Sequence, residues 1–239
     1  MGAILNTYLQ INPIEKLSLR TQFGANAHFR RSDTFTPQFF MNALEQQTLS
    51  RAERDMTEWL DWNWTNTATY IDTFAEKHNL NVMAGFTAER FAEYTSVARR
   101  DDTPSNMDVM QEVHAGTDAT AWADGNTKYN TLVSFLGRVM YNYDNRYYIS
   151  ASLRADGSSR FPKGNKYAIF PSVSASWRIT SEEFMKDQEI FSDLKLRGGW
   201  GRVGNQNINN DATLTLLEQT SYMYGNTLAN GYYISSVGN

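Results

Sequence analysis

Residues 172–180 read SVSASWRIT. In an extended chain Val173, Ala175, Trp177 and Ile179 fall on one face, and Ser172, Ser174, Ser176, Arg178 and Thr180 on the other. Side chains of a strand alternate between its two faces. A run that keeps a period of two across all its positions therefore specifies a strand with one apolar and one polar side. Working outward, residues 147–156 place Tyr147, Ile149, Ala151, Leu153 and Ala155 opposite Tyr148, Ser150, Ser152, Arg154 and Asp156. Residues 17–30 and 80–89 alternate in the same way, and weaker alternation runs through 5–11, 59–72, 132–143 and 194–203. The pattern predicts about eight strands of roughly 8–14 residues, longer than the usual strand of about 5–6.

The connections between these strands alternate in length. Those at 12–16, 75–79 and 144–145 are short, and those at 32–58 and 94–130 are long. The segments 157–167 and 181–193 are intermediate, and a last one runs from Gly204 onward. Antiparallel strands place every second connection at the same end. One end thus carries tight turns and the other carries large loops, which is the asymmetry of a transmembrane β-barrel. A β-sandwich with aromatic core residues is the competing architecture. Proline placement agrees with strands: Pro13, Pro37, Pro104, Pro162 and Pro171 all lie in connections or at a strand start, where no ladder bond is lost. Tyr141, Tyr143, Tyr147 and Tyr148 bracket the tightest turn, and Trp59, Trp62 and Trp64 cluster beside a long loop, as interfacial girdles require. Helical content is minor: a turn after Thr36-Pro37 carrying Phe39, Phe40, Ala43 and Leu44, and a capping box of Thr180 with Glu183.

Composition first suggests something else. The chain has 239 residues, 22 basic against 26 acidic, a net charge of −4 and no cysteine. No basic stripe invites nucleic acid, and a disulfide framework, cysteine-ligated zinc and a thiol nucleophile are excluded. Mean hydropathy is −0.53, and no apolar run approaches the roughly 18 residues of a membrane-spanning helix. No signal peptide is visible. Yet 13% of the residues are aromatic while only 41% are hydrophobic, so the rings serve something other than a conventional core.

Few residues invite chemistry. Gly199-Trp200-Gly201-Arg202-Val203-Gly204 matches GxGxxG, but a turn-forming Asn-rich stretch follows it where a phosphate cradle needs a helix. His28, His78 and His114 lack metal-ligand spacing. No GxSxG elbow accompanies the serines, histidines and aspartates. Asp101-Asp102 and the Asn/Asp-rich residues 205–211 could hold calcium, although solvated loop polarity explains them better. No catalytic, cofactor-binding or metal-binding residue is assigned. The recurrent signal is arginine. Arg20, Arg138, Arg154, Arg178 and Arg197 all fall on the polar face of their strands. Facing lipid at the midplane each would cost about 2–4 kcal/mol, so that face is expected to be the lumen. There guanidinium groups pair carboxylates, coordinate sugar and peptide oxygens, or simply solvate a wet interior.

Residues 135–206 carry a family resemblance. The stretch FLGRVMYNYDNRYYISASLRADGSSRFPKGNKYAIFPSVSASWRITSEEFMKD, followed by LKLRGGWGRVGNQ, closely resembles the barrel of SusC/RagA-type TonB-linked outer-membrane proteins. The matching positions include Gly137, Arg138, Asp156, Gly157, Ser158, Ser159, Arg160, Trp177, Arg178, Glu182, Gly204 and Asn205. The resemblance implies an all-β, antiparallel transmembrane barrel of 22 strands with an N-terminal plug, in the outer membrane of a Gram-negative, Bacteroidetes-like bacterium. It implies transport energised by TonB through the plug, and import of glycans or peptides with a SusD-like surface lipoprotein. It implies contact with outer-membrane lipid and no enzymatic role. Residues 1–239 are expected to form one partial barrel domain, with the plug, the TonB box and the other strands outside the sequence. The loops at 32–58, 94–130 and 204–239 would form the outer mouth. A passive porin-like barrel, an outer-membrane barrel enzyme and a secreted β-sandwich adhesin are the alternatives.

Overall fold

A strand with one apolar side buries its backbone polarity only by pairing with neighbours. The computed structural model describes residues 1–185, 187, 189–209, 215–225 and 227–236, and in it strands are the dominant element. They are β1 (Gly2–Ile14), β2 (Leu17–Thr36), β3 (Phe39–Phe40), β4 (Gln46–Gln47), β5 (Arg51–Phe74), β6 (His78–Asp101), β7 (Trp122–Tyr143), β8 (Tyr147–Ser158), β9 (Tyr167–Arg178), β10 (Lys195–Gly201), β11 (Leu216–Tyr224) and β12 (Thr227–Ser236). Eight of them form one antiparallel sheet in the order β1-β2-β5-β6-β7-β8-β9-β10, while β3-β4 and β11-β12 are separate hairpins. The eight alternating segments are these eight strands. Among the described residues no helix is long and apolar enough to cross a membrane.

The strands run further than the alternation shows. β5 and β6 have 24 residues each and β7 has 22, against about 9–11 for a tilted crossing. The expected connections 32–58 and 94–130 contract to 37–50 and 102–121. Residues 51–58 read RAERDMTE and residues 122–131 read WADGNTKYNT. Both faces are largely polar there, so an extended backbone leaves no period-two contrast to read. The segment from Gly204 is likewise not all loop, because β11 and β12 lie within it. Residues 210–214 and 237–239, which include part of the expected calcium stretch, lie outside the described residues.

Three local expectations change. The turn after Pro37 is the β3-β4 hairpin rather than a helical turn: Asn42 Oδ1 accepts the N–H of Leu44 and of Glu45, each at 2.9 Å, and closes it. Thr180 does not cap a helix. Its hydroxyl accepts the Leu194 N–H at 3.4 Å and donates to Asp193 at 3.2 Å, leaving single 3₁₀ turns at Ile179–Ser181 and Glu183–Met185. Two prolines lie inside strands. Pro13 sits in β1, at the end of the strand order, and Pro171 within β9. The Arg202 N–H donates to the Pro171 carbonyl at 2.9 Å. The main-chain groups of Pro171 therefore face the β10 side where β10 has already ended at Gly201, and little ladder bonding is lost. The tight turn is as expected, with Asp144 and Asn145 both at φ 54°. Left-handed geometry matches the twist of a hairpin, and these residue types tolerate it.

The chain divides into two compact units. One comprises Met1–Leu5, Ala25–Trp62 and Phe91–Tyr129, and the other Asn6–Gly24, Asn63–Arg90 and Asn130–Asn239. In the second unit the register of β7 to β10 lines up one face in rows. Tyr143, Tyr147, Trp177 and Leu196 share a row, as do Val139, Ala151, Val173 and Trp200, and as do Phe135, Ala155 and Ile169. The aromatic row at Tyr147 and the row of Gly157 with Tyr167 lie ten residues apart on β8 (157 − 147). At ~3.3 Å per residue that is about 33 Å, or about 25 Å for strands tilted by ~40°, the height of a barrel's apolar band.

Among the described residues this face stays largely uncovered. Ile149 is 52% exposed, Phe135 51% and Val173 46%. Among the described residues only Ala52, Ala92 and Leu132 are buried apolar side chains. A β-sandwich interdigitates the inner faces of two sheets into a core, so the sandwich alternative fails here. Substituting Val173→Arg or Ile149→Arg in the complete protein is expected to lower the folded, heat-modifiable fraction in outer membranes sharply, by a cost of about 2–4 kcal/mol at mid-depth. Ser174→Arg and Ser150→Arg, one residue along, are expected to assemble near the wild-type level. Equal yields from the two pairs would contradict the assignment of faces.

Candidate functional site

The opposite face of β7 to β10 collects the polar residues. Arg138, Ser152, Ser172 and Gly201 form one row, and Asn142, Tyr148, Ser176 and Arg197 another. Arg154 lies between Leu136 and Phe170, and Arg178 opposite Lys195. Four of the five arginines thus share one face by register. Arg20 joins them through a chain of contacts. Phe135, on the apolar face, touches Phe86 at 5.3 Å between centroids, and Phe86 meets Trp64 at 6.1 Å. The Trp64 indole donates to Thr21 at 2.9 Å, so Arg20, the next residue, points to the polar side.

The five are held differently. Arg154 donates to Asp156 at 2.6 Å and to the buried Ser134 hydroxyl at 3.0 Å. Arg178 pairs with Asp193 at 3.2 Å. Arg20 donates to Gln22 at 2.9 Å and lies 4.2 Å over the Tyr8 ring. Arg138 and Arg197 make no ion pair among the described residues. Each is flanked instead by serines, whose small hydroxyls leave the guanidinium open to water or to a ligand.

The motif residues turn out to be joints. Ser158 is buried; its carbonyl accepts from Phe161 and its hydroxyl from the Arg160 N–H at 3.3 Å. The Ser159 hydroxyl accepts the Thr131 N–H at 2.9 Å. Arg160 reaches the Gln206 carbonyl at 2.9 Å, tying the end of β8 to the segment after β10. Asn205 Oδ1 accepts the Asn207 N–H at 2.8 Å and shapes that segment. At Gly157 a Cβ would lie 2.5 Å from the Tyr167 ring, and at Gly204 it would collide with Phe170. Nothing in the structure explains the glycine at 137, where a Cβ would meet open space.

Around the tight turn the same logic gathers on one carboxylate. Glu182 accepts from the Tyr147 hydroxyl at 2.6 Å and the Trp177 indole at 2.9 Å, and Arg146 reaches its other oxygen at 3.4 Å. Its side chain is 13% exposed. Arg146 also pairs with Asp144 at 3.1 Å. Phe74 stacks on His78 at 4.9 Å, His78 lies 5.0 Å from Tyr143, and Tyr143 stacks on Tyr147 at 6.4 Å. His78 and the Tyr141 hydroxyl share a hydrogen bond of 2.6 Å. The ring girdle is continuous here, and His78 opens β6 as part of it.

In the first unit Trp59 leaves the girdle. It packs 5.3 Å from His28 and 5.6 Å from Arg30 and donates to Glu93 at 3.0 Å. Its odd position sets it on the other side of β5 from Trp62 and Trp64. Asp101 gives its carboxylate to Arg51 at 2.8 and 3.3 Å, which removes it from the calcium reading. Arg54 bridges Asp33 at 2.5 Å and Glu112 at 2.7 Å, and Arg100 pairs with Asp118 at 2.7 Å. No group of histidine, aspartate and glutamate suited to a metal occurs among the described residues. No helix follows Gly204 among them either.

No protein-family model matches the chain. It is 28% identical, over 97% of its length, to TonB-dependent receptor P39 of Formosa agariphila, of which it covers 22%. It is 47% identical over 112 residues, 45% of the chain, to TonB-dependent receptor SusC of Bacteroides thetaiotaomicron, covering 11% of that protein. Among solved structures it superposes on the RagAB peptide transporter with a TM-score of 0.86 and 28% identity, using all of this chain and 26% of that one. The RagAB peptide importer in its 'open-open' state gives 0.86 and 27%. The sheet therefore has the fold of part of the β-barrel wall seen in these proteins. The similarity is to proteins of the SusC/RagA type, and the chain spans 22% of the length of P39 and 26% of the RagAB chain.

The Tyr147 hydroxyl, then the Trp177 indole, hold the Glu182 carboxyl below the ordinary carboxylate range, and Arg146 adds to this. A lowered folded-state value means that the contribution of Glu182 is complete above an unfolded value of about 4.3 and disappears as pH falls through the lowered one. Glu182→Gln is thus expected to reduce the unfolding temperature of the detergent-extracted complete protein at pH 7. The gap to wild type should close progressively in acid below about pH 4. A gap independent of pH would remove the ionised carboxylate from the joint.

Proposed function

We propose that residues 1–239 belong to a single barrel domain of an outer-membrane importer, energised by TonB, in a Gram-negative bacterium of the Bacteroidetes kind. Its cargo is an oligosaccharide or peptide, received from a SusD-like surface lipoprotein. The observation that carries this reading is the two-sided register of β7 to β10. One face is apolar over about 25 Å between aromatic rows, and the other bears arginines and serines. The likeness to the RagAB peptide transporter supports the same reading.

The physical roles follow. Paired backbones seal the wall against lipid. Arg20, Arg138, Arg154, Arg178 and Arg197 line a wet lumen, with Arg138 and Arg197 free to meet cargo or a neighbouring domain. The connections 37–50 and 102–121, and separately the β11-β12 hairpin, are outward segments for contact with the lipoprotein. No residue takes a catalytic role. In a host expressing the complete gene, uptake of labelled cargo is expected to stop when TonB is deleted and to fall when the adjacent lipoprotein is removed. Uptake that continues without TonB would make the barrel a passive pore.

A further inference from the structure

The first unit contains a cavity of about 470 Å³ lined by Arg54, Arg99, Arg100, Glu112, His114 and Trp122, among others. That size is within the range of small-ligand sites. Its charges are not equivalent. Arg54 is taken by Asp33 and Glu112, and Arg100 by Asp118 and the carbonyls of His114 and Gly116. Asp101, two residues beyond Arg99, gives both oxygens to Arg51. Arg99 makes no ion pair among the described residues. Its guanidinium lies 4.4 Å from the centroid of the Trp122 ring.

A guanidinium held over an indole ring by cation–π attraction is restrained in position while its N–H groups stay available. Those groups form a fork whose spacing matches the two oxygens of a carboxylate. The contact restrains the side chain before a ligand arrives, which lowers the entropy lost on binding. Arg54 and Arg100 are already occupied by Asp33, Glu112 and Asp118, so neither competes with Arg99 for an incoming carboxylate. Trp122 remains 41% exposed, so a ligand can also lie along its free area.

We propose that Arg99, held over the Trp122 ring, is a carboxylate-recognition group for the cargo, taking either the C-terminal carboxylate of a peptide or the uronate group of an oligosaccharide. This rests on the importer reading, since it names the chemistry of what is imported. The test uses the purified complete protein and four probes by calorimetry: a tetra-alanine peptide, its C-terminal amide, tetragalacturonate and its methyl ester. Wild type is expected to prefer one of the free carboxylates over its neutral partner by about tenfold to a hundredfold, the span of a charge-assisted hydrogen bond. The pair that shows the preference identifies the source.

Arg99→Gln, which removes the charge and keeps a polar end, is expected to abolish the preference while leaving neutral-probe affinity unchanged. Trp122→Leu should reduce it while leaving the charge in place. No preference in wild type for either pair, or an undiminished one in Arg99→Gln, would overturn the proposal. TonB-dependent uptake measured in the same strains separates the two readings. Uptake that persists without any carboxylate preference removes only the role of Arg99.

Discussion

Every N–H and C=O of a strand that faces hydrocarbon must be paired with another strand, because lipid offers no alternative partner. Everything else in this sheet is arranged around that requirement. Pairing sets register, and register sets which side chains share a face. In β7 to β10 it places Val139, Ala151, Val173 and Trp200 in one row and Arg138, Ser152 and Ser172 in the adjacent row on the other side. A slip by one residue would exchange the two sets. The tight turn at Asp144 and Asn145 holds that register where β7 meets β8, and Pro171 is tolerated because its lost donor falls beyond the end of β10.

The motif residues protect this register at the strand ends. Glu182 lies in the connection after β9 yet collects Arg146, Tyr147 and Trp177, so the start of β8 and the end of β9 are pinned to one carboxylate. Ser159 and Arg160 do the same at the far end of β8, with Thr131 and Gln206. Charge-assisted and buried hydrogen bonds of this kind lose much of their value when one partner is changed.

The composition is explained by the same two-sidedness. A low hydrophobic share reflects strands with one wet face, and the ring excess reflects rows such as Tyr143, Tyr147 and Trp177. The alternation of residues 147–156 and 172–180 carried enough contrast to be read directly, although β9 begins earlier, at Tyr167, and Ile179 and Thr180 fall in a 3₁₀ turn beyond its end. The outer parts of β5, β6 and β7 were not, because RAERDMTE and WADGNTKYNT are polar on both sides and extended backbone leaves no trace in such a pattern. Trp59 shows the same limit in miniature. Its neighbours in sequence suggested a girdle, but its parity sends it toward His28, Arg30 and Glu93.

By itself the sequence determined the strand character, the polar and apolar sides, the tight turns and the family resemblance. All of these are local, and a period of two or a turn pair is written within a few residues. Tertiary structure alone decided which side chains meet. Glu182 with Tyr147, Arg160 with Gln206 and Arg99 with Trp122 are separated by 35, 46 and 23 residues. Their meeting depends on register and strand length accumulated through every intervening turn. Single-strand periodicity holds no record of that sum.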